Sequence, residues 1–544
     1  MKLLEKPFSP DFQYPQAFII FLGAIFFIPL LGHFHLFDWD EINFAESARE
    51  MIITGDYARV MVDFVPFWEK PPLFFWLQSL SMNAFGVNEF AARFPNALCG
   101  LATLIVIYHI GKKLYDHQFG MLWAITYLGA LLPHLYFKSG IIDPVFNLFI
   151  FLSIWYLMQV IEMDQKKSRN AFLSGIFVGL AILTKGPVGL LIVILTFLVY
   201  WIGARFRKVA HWQQVVLLAL GAFLMTALWF GPETIKNGPW FIGRFIEYQI
   251  RLLSTSDAGH QQPIYYHFVV VLFGCFPFSV FAVRNLLRWK GQSSVPINTD
   301  RWMRHLFWVV MILFTIVKTK IVHYSSMAYL PLSFLAVLYV YECIKGKRSI
   351  DRLIQYFNMV LGIILSLMIS VVAILLIRKD WLLQLIDHAS LTVDVPMIGM
   401  EYLIGIFYLV GTILVFLWIN RGQIQRGLMF HALILGITLF LSSLWIVPKI
   451  EAYSQRPAIT FYQSLVGKDV YVYPLFKTYA HYFYAKILPD QSTHQHEREW
   501  YLKGEIDKPV YLVEFSSRAG HLFTDSAWTH LYTEGDFAFF RRNP

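Results

Sequence analysis

Two short strings bring carboxylates and a lysine into one stretch, residues 38–72: Asp38-Trp39-Asp40-Glu41 and Phe67-Trp68-Glu69-Lys70-Pro71-Pro72. A positioned carboxylate can act as a general base, and a fixed cation can stabilise a leaving phosphate. Each residue also has a plainer explanation. Asp40 and Glu41 suit the start of a helix, where carboxylates cap backbone amides and meet the dipole. Asp38 reads as a cap or a solvated side chain. Glu69-Lys70 could be a surface ion pair. Yet two prolines stiffen this string and exclude a helix at Lys70. Held so, Glu69 could ligate a cation and Lys70 could bind phosphate.

Further candidates lie along the chain. Asp143-Pro144 is either a good helix start or a second functional carboxylate. Lys185-Gly186-Pro187 reads as a snorkelling lysine or a contact to an anion. Arg244, Glu247, Arg251, His260 and His267 cluster in one long segment. Lys318, Lys320, His323 and Tyr324 form another basic group. Together Lys70, Lys185, Arg251 and Lys320 could line a cationic pocket for a lipid phosphate.

The elements that must position them are mostly apolar. Of 544 residues, 57% are hydrophobic and only 15% charged, with mean hydropathy +0.52. That composition defines a polytopic membrane protein. Thirteen apolar runs are long enough to span, near 16–32, 94–111, 119–136, 142–161, 171–184, 186–203, 213–231, 265–283, 302–317, 323–343, 353–377, 399–420 and 428–447. Alternate loops are basic: Lys112-Lys113, Lys166 to Arg169, Arg205 to Lys208, Arg284 to Arg304, Lys345 to Arg348, and Arg421 to Arg426. The positive-inside rule makes these loops and the N-terminus cytoplasmic. The net charge of +9 therefore reflects topology rather than nucleic-acid binding. The opposite face carries 33–93, 137–141, the point around Lys185, 232–264, 318–322, 378–398 and everything after 448, and the candidates above lie in or beside these segments.

Residues 41–54 have helical periodicity and read as a spacer lying along the membrane surface. Another interfacial helix begins at Phe74. Residues 1–447 form the transmembrane part. Residues 448–544 change character, with β-type runs at 470–473, 510–514 and 537–540 and helices near 453–466 and 476–487. They read as a small extracytoplasmic α/β domain. Cys99, Cys275 and Cys343 all sit in apolar runs and suggest neither disulfides nor a metal cluster. No cleavable signal is evident.

The quoted strings, with Phe44-Ala45-Glu46-Ser47-Ala48-Arg49-Glu50-Met51, Phe85 to Glu89, Ala92-Arg93, Leu183 to Pro187, Gly259-His260, Pro263, Tyr265-Tyr266 and Lys320 to Tyr324, resemble the bacterial 4-amino-4-deoxy-L-arabinose lipid A transferases. These belong with the protein O-mannosyltransferase-like glycosyltransferases (family 39, GT-C fold). The resemblance covers roughly residues 16–345. It implies thirteen spans, interfacial helices in the first outer loop and a periplasmic C-terminal domain, in the bacterial inner membrane.

It also implies a polyprenyl-phosphate sugar donor, typically undecaprenyl phosphate, and no nucleotide cofactor. The acceptor would be lipid A or, in the O-mannosyl branch, a protein hydroxyl. Asp40, with Glu41 beside it, and Asp143 would be the catalytic carboxylates. Lys70, Lys185, Arg251, Lys320 and Tyr324 would bind donor phosphate. Glu69 and His260 would be a metal pair, for zinc. The rival class is a lipid or sugar transporter, which should line a path between both faces and often shows inverted repeats. Here the unusual charges lie on one face and no repeat is evident.

Overall fold

The computed structural model describes residues 5–163, 166–207, 210–254, 262–287, 298–385 and 389–544. Among these, seven helices are long and apolar enough to cross a membrane: Glu89–Leu114, Asp143–Glu162, Trp212–Asn237, Val322–Ile344, Arg352–Ile377, Leu403–Asn420 and Ile424–Ser454. Pro15–Phe27 and Val188–Gly203 are shorter apolar helices. The chain is a multi-pass membrane protein. All thirteen expected segments are helical, but two are broken. The third divides into His117–Leu128 and Leu131–Tyr136, and the eighth into Tyr266–Gly274 and Ser279–Leu286. Pro277 sits in the second gap, where its ring bars a continuous helix.

The helices that carry the candidate residues are fixed by close packing. Lys167–Lys185 lies against Trp212–Asn237 through Gly175, Gly179 and Gly221. A Cβ added at Gly175 would fall 2.0 Å from the Leu218 carbonyl oxygen. Small residues let the backbones meet, as membrane helix pairs require. This contact fixes the helix that ends at Lys185.

Residues 33–93 fold into helix Asp40–Thr54, a short antiparallel hairpin of β1 (Met61–Val62) and β2 (Val65–Pro66), and helix Leu73–Phe85. Helix Asp40–Thr54 stops at Gly55, whose φ of 69° suits the left-handed C-terminal position. The expectation of a surface spacer is wrong here. Residues 41 to 51 of this helix are all buried. Its apolar side, with Leu36, Ile42, Ala45 and Ala48, joins a core completed by Ile459, Tyr462, Phe483 and Ile487 from the C-terminal segment. Two of its charged residues, Glu46 and Arg49, are turned inward and paired. Arg49 donates to both oxygens of Glu46 at 2.7 Å and to the Ile487 carbonyl at 2.7 Å. The polar side of the periodic pattern therefore meets protein instead of headgroups.

Glu50 is fully buried on this helix, and its Oε2 accepts from the Phe64 amide at 3.0 Å. Burial, reinforced by the neighbouring Glu46, pushes its carboxyl up to about 9. Between pH 4.5 and about 9 the folded chain holds a proton that the unfolded chain releases, so stability falls as pH rises through that window. Glu50→Gln should remove this slope and raise stability at pH 7 by about 1–3 kcal/mol. Thermal unfolding of both proteins at several pH values measures it. Parallel curves would show that Glu50 is not the group responsible.

After Ile446 the chain continues as helices Val447–Ser454 and Arg456–Ser464 into a four-stranded sheet. Strands β3 (Tyr471–Pro474), β4 (Val510–Phe515), β5 (Thr529–Glu534) and β6 (Phe537–Arg542) take the order β3-β4-β6-β5. β3 and β4 are parallel, and the other two pairs are antiparallel. Three strands match expectation. β5, at the edge, was not expected: every one of its residues is exposed, so it lacks the apolar alternation that marks a half-buried strand. β6 is covered on both faces. Phe539 packs on Phe461 of helix Arg456–Ser464 at 4.4 Å, and Phe540 lies in a second core with Trp528 and Tyr501.

Candidate active site

A polar pocket of about 120 Å³ forms where seven chain segments meet, among them helix Trp240–Ser254, which supplies Tyr248. Helix Asp40–Thr54 supplies Asp40 and Asn43 from its first turn. The Pro-stiffened string supplies Glu69 and Lys70. Helix Asp143–Glu162 supplies Asp143 at its start, and Lys167–Lys185 supplies Lys185 at its end. Thr319, His323 and Tyr324 come from the turn before helix Tyr329–Ile344. Lys477 and Tyr479 come from the C-terminal segment. Carboxylates at helix starts and a lysine at a helix end all agree with the helix dipole.

The alternatives left open by the sequence now separate. Asp143 lies inside its helix and does not cap it. Lys185 Nζ donates to Asp143 Oδ1 at 2.6 Å, and His323 Nε2 stands 3.7 Å from Asp143 Oδ2. The same imidazole is 3.4 Å from Asp40 Oδ2, so it bridges the two carboxylates. Lys185 also lies 4.8 Å from the Tyr324 ring centre. Lys70 is enclosed: burial, with help from Lys185, pulls its ammonium below the usual lysine value, against the pull of Glu69, Asp40 and Asp143.

Glu41 requires correction. Although adjacent to Asp40, it does not line the pocket. Its carboxylate accepts from Arg93 Nε at 3.0 Å and Nη2 at 2.9 Å, from the Phe37 amide at 3.0 Å and from the Gly140 amide at 2.5 Å. The Arg93 guanidinium holds the carboxyl of Glu41 below its usual range despite burial. Glu41 is a structural anchor.

Arg251 and Lys320 also stand outside the lining of this pocket. Arg251 is exposed near the end of helix Trp240–Ser254, stacked 4.9 Å from the ring of Tyr248, which does line it. Lys320 donates to the Val317 carbonyl at 3.2 Å. Of the expected metal pair, His260 lies outside the described residues. Glu69 Oε2 accepts from the Tyr248 hydroxyl at 2.5 Å. Among the described residues no group of three or more metal-ligating side chains is present.

Several lining residues were missed. Asn43 is buried, and its Oδ1 lacks a hydrogen-bond partner among the described residues. Its place three residues after Asp40 on a helix is a signal that could have found it. His323 was named with Lys318, Lys320 and Tyr324 in a basic group, but nothing in the spacing gave it a role of its own. Trp39 stood in the first quoted string without a role, and nothing in the sequence pointed to Tyr248, Thr319, Lys477 or Tyr479.

Beside the polar pocket lies an apolar cavity of about 290 Å³, walled by Phe146, Leu191, Ile246, Ile250, Phe314 and Val317. Lys70, Lys185 and Tyr324 line both spaces.

This architecture is the GT-C membrane glycosyltransferase fold. The crystal structure of ArnT from Cupriavidus metallidurans bound to undecaprenyl phosphate superposes with a TM-score of 0.76, covering 96% of this chain and 97% of that one at 17% identity. The sequence model of the dolichyl-phosphate-mannose-protein mannosyltransferase family matches residues 69–229. The undecaprenyl phosphate-alpha-4-amino-4-deoxy-L-arabinose arabinosyl transferase of Wigglesworthia glossinidia brevipalpis is 26% identical over 363 residues, 64% of this chain and 63% of that protein. One from Proteus mirabilis is 27% identical over 361 residues, with the same coverage. The matched part thus spans just under two thirds of these relatives. They are the class of protein that the sequence motifs resemble.

Proposed function

We propose that this chain is an inverting glycosyltransferase that moves a sugar from a polyprenyl phosphate, undecaprenyl phosphate in bacteria, to an extracytoplasmic acceptor. Its similarity to the arabinosyl transferases favours an aminoarabinose-type sugar. The resemblance of its motifs favours lipid A as the acceptor. One observation carries the reading: Lys70, Lys185 and Tyr324 stand at the boundary between an apolar cavity and a carboxylate-lined pocket. That boundary suits an amphiphile with a lipid tail on one side, a sugar on the other and a phosphate between.

In the reaction, an acceptor oxygen attacks the anomeric carbon while the bond from that carbon to the phosphate oxygen breaks. The lipid phosphate leaves with the electron pair, and Lys70 stabilises its growing negative charge. When the acceptor is a hydroxyl, its proton passes to Asp40. When it is a phosphate, no proton need move, and Asp40 balances positive charge on the sugar. Asp143, held by Lys185, is placed to contact the sugar or its amine. Glu69 is the described residue that would hold a divalent cation, which would add positive charge near the phosphate. We further assign the chain thirteen spans in the inner membrane. Its basic loops would be cytoplasmic, and the pocket and C-terminal segment periplasmic.

The test is purified protein with an undecaprenyl-phosphate sugar and lipid A, the product being read by mass spectrometry. A gain of one sugar on lipid A is expected. Absence of transfer to lipid A or a peptide, with substrate carried across a vesicle membrane, would replace this reading with a transporter. Lys70→Ala should lower kcat/KM by about 10²–10³-fold. Because Lys70 is displaced downward, activity should fall as pH rises, at a pH below the ordinary lysine value of 10.5. Lys70→Arg should keep some activity and move that fall to higher pH. An alkaline limb unchanged by Lys70→Arg would assign it to another group.

A further inference from the structure

The polar pocket, at about 120 Å³, has room for little more than the reacting sugar, and the apolar cavity suits the donor's tail. The acceptor needs another seat. A cleft of about 500 Å³ adjoins the pocket, within the usual size of ligand sites. One wall is hairpin β1–β2; the other is C-terminal segment 473–496. Phe67, Lys477 and Tyr479 line both spaces, so the cleft abuts the chemistry directly.

The lining has two kinds of group. The rings of Tyr473, Phe476 and Tyr482 offer flat apolar faces of the sort that pack against sugar rings. Lys477, His481 and His494 offer nitrogen donors. His481 is 3% exposed, and its Nδ1 has no hydrogen-bond partner among the described residues. Two carboxylates stand behind this lining and both are engaged: Asp63 by Thr493 Oγ1 at 2.5 Å, Tyr482 Oη at 3.2 Å and His494 Nε2 at 3.7 Å, and Asp38 by the Tyr479 amide at 3.4 Å. Lys477 is exposed at the junction, 4.4 Å from the Trp39 ring centre. The cleft sets aromatic faces beside one lysine ammonium and two imidazoles, which fits a phosphorylated saccharide.

We infer that this cleft binds the phosphorylated saccharide headgroup of the acceptor and presents it to Asp40. The inference rests on the transferase reading above. The test uses the full chain in detergent, with lipid A and its dephosphorylated form as probes, and measures direct binding as well as transfer kinetics. Tyr473→Ala should weaken lipid A binding and raise the acceptor KM about tenfold each, leaving the donor KM within about twofold. Tyr473→Phe, which keeps the ring, should behave as wild type. Lys477→Gln should shrink the preference for the phosphorylated probe. Unchanged lipid A binding in both Tyr473→Ala and Lys477→Gln would overturn the inference, as would a donor KM that rises in step with the acceptor KM. If Tyr473→Ala melts early, Lys477→Gln at its exposed position decides. If even wild type transfers nothing, the transferase reading fails, while the binding measurement still judges the cleft.

Discussion

Asp40→Asn should lower sugar transfer by about 10²–10⁴-fold, the range that a positioned carboxylate supplies, with no change in melting temperature. Asp40 stands at the start of its helix, yet the helix has no side-chain cap. Its carboxylate is 42% exposed, toward the pocket, and faces His323 Nε2 at 3.4 Å. Removing its charge therefore costs the fold little. With a hydroxyl acceptor, the variant loses the proton acceptor. With a phosphate acceptor, it loses the counter-charge to the sugar's developing positive charge. Initial rates with lipid A and an undecaprenyl-linked sugar, beside thermal unfolding, provide both readouts. A near wild-type rate would remove Asp40 from the chemistry.

Glu41→Gln, one residue away, should do the reverse. It leaves the Arg93 guanidinium buried without its counter-charge, which costs about 3–5 kcal/mol. Arg93 also donates to the carbonyls of Leu31, Phe34 and His35. Its pair with Glu41 therefore ties the chain after the first helix to the start of helix Asp40–Thr54 and to Gly140. A large drop in melting temperature and in yield is expected. The folded fraction should transfer sugar at near the wild-type rate per molecule, because Glu41 does not line the pocket. A stable but inactive Glu41→Gln protein would return Glu41 to the active site.

This contrast shows what the sequence could reveal. Charges in an apolar chain stand out, which is why Asp40, Lys70, Asp143 and Lys185 were found together, and Tyr324 was found beside the basic residues of its string. Direction was harder to read. Successive helical residues point about 100° apart, so Asp40 and Glu41 face different partners. Long apolar runs located the helices, but they hid the breaks within two of them, because a broken helix keeps its hydropathy. The C-terminal strands were visible where aromatic and β-branched residues run together and invisible at β5, where none is buried. Lys477, Tyr479 and Thr319 were illegible for another reason. Their types are ordinary in loops, and only the fold brings them to the pocket from far along the chain. Helix Asp40–Thr54 was misread because amphipathic periodicity records a two-sided environment without saying what the second side is.

That second side limits how such chains can be recombined. Helix Asp40–Thr54 carries Asp40 toward the pocket while its outward surface is moulded to Tyr462, Phe483 and Ile487. The Leu36 amide donates to the Tyr484 hydroxyl at 2.7 Å, and Arg49 reaches the Ile487 carbonyl. A chimera joined at residue 447 would set a foreign C-terminal half against this surface and disturb the position of Asp40. A workable graft has to exchange residues 34–66 together with 448–544, two pieces far apart in sequence that behave as a single cassette.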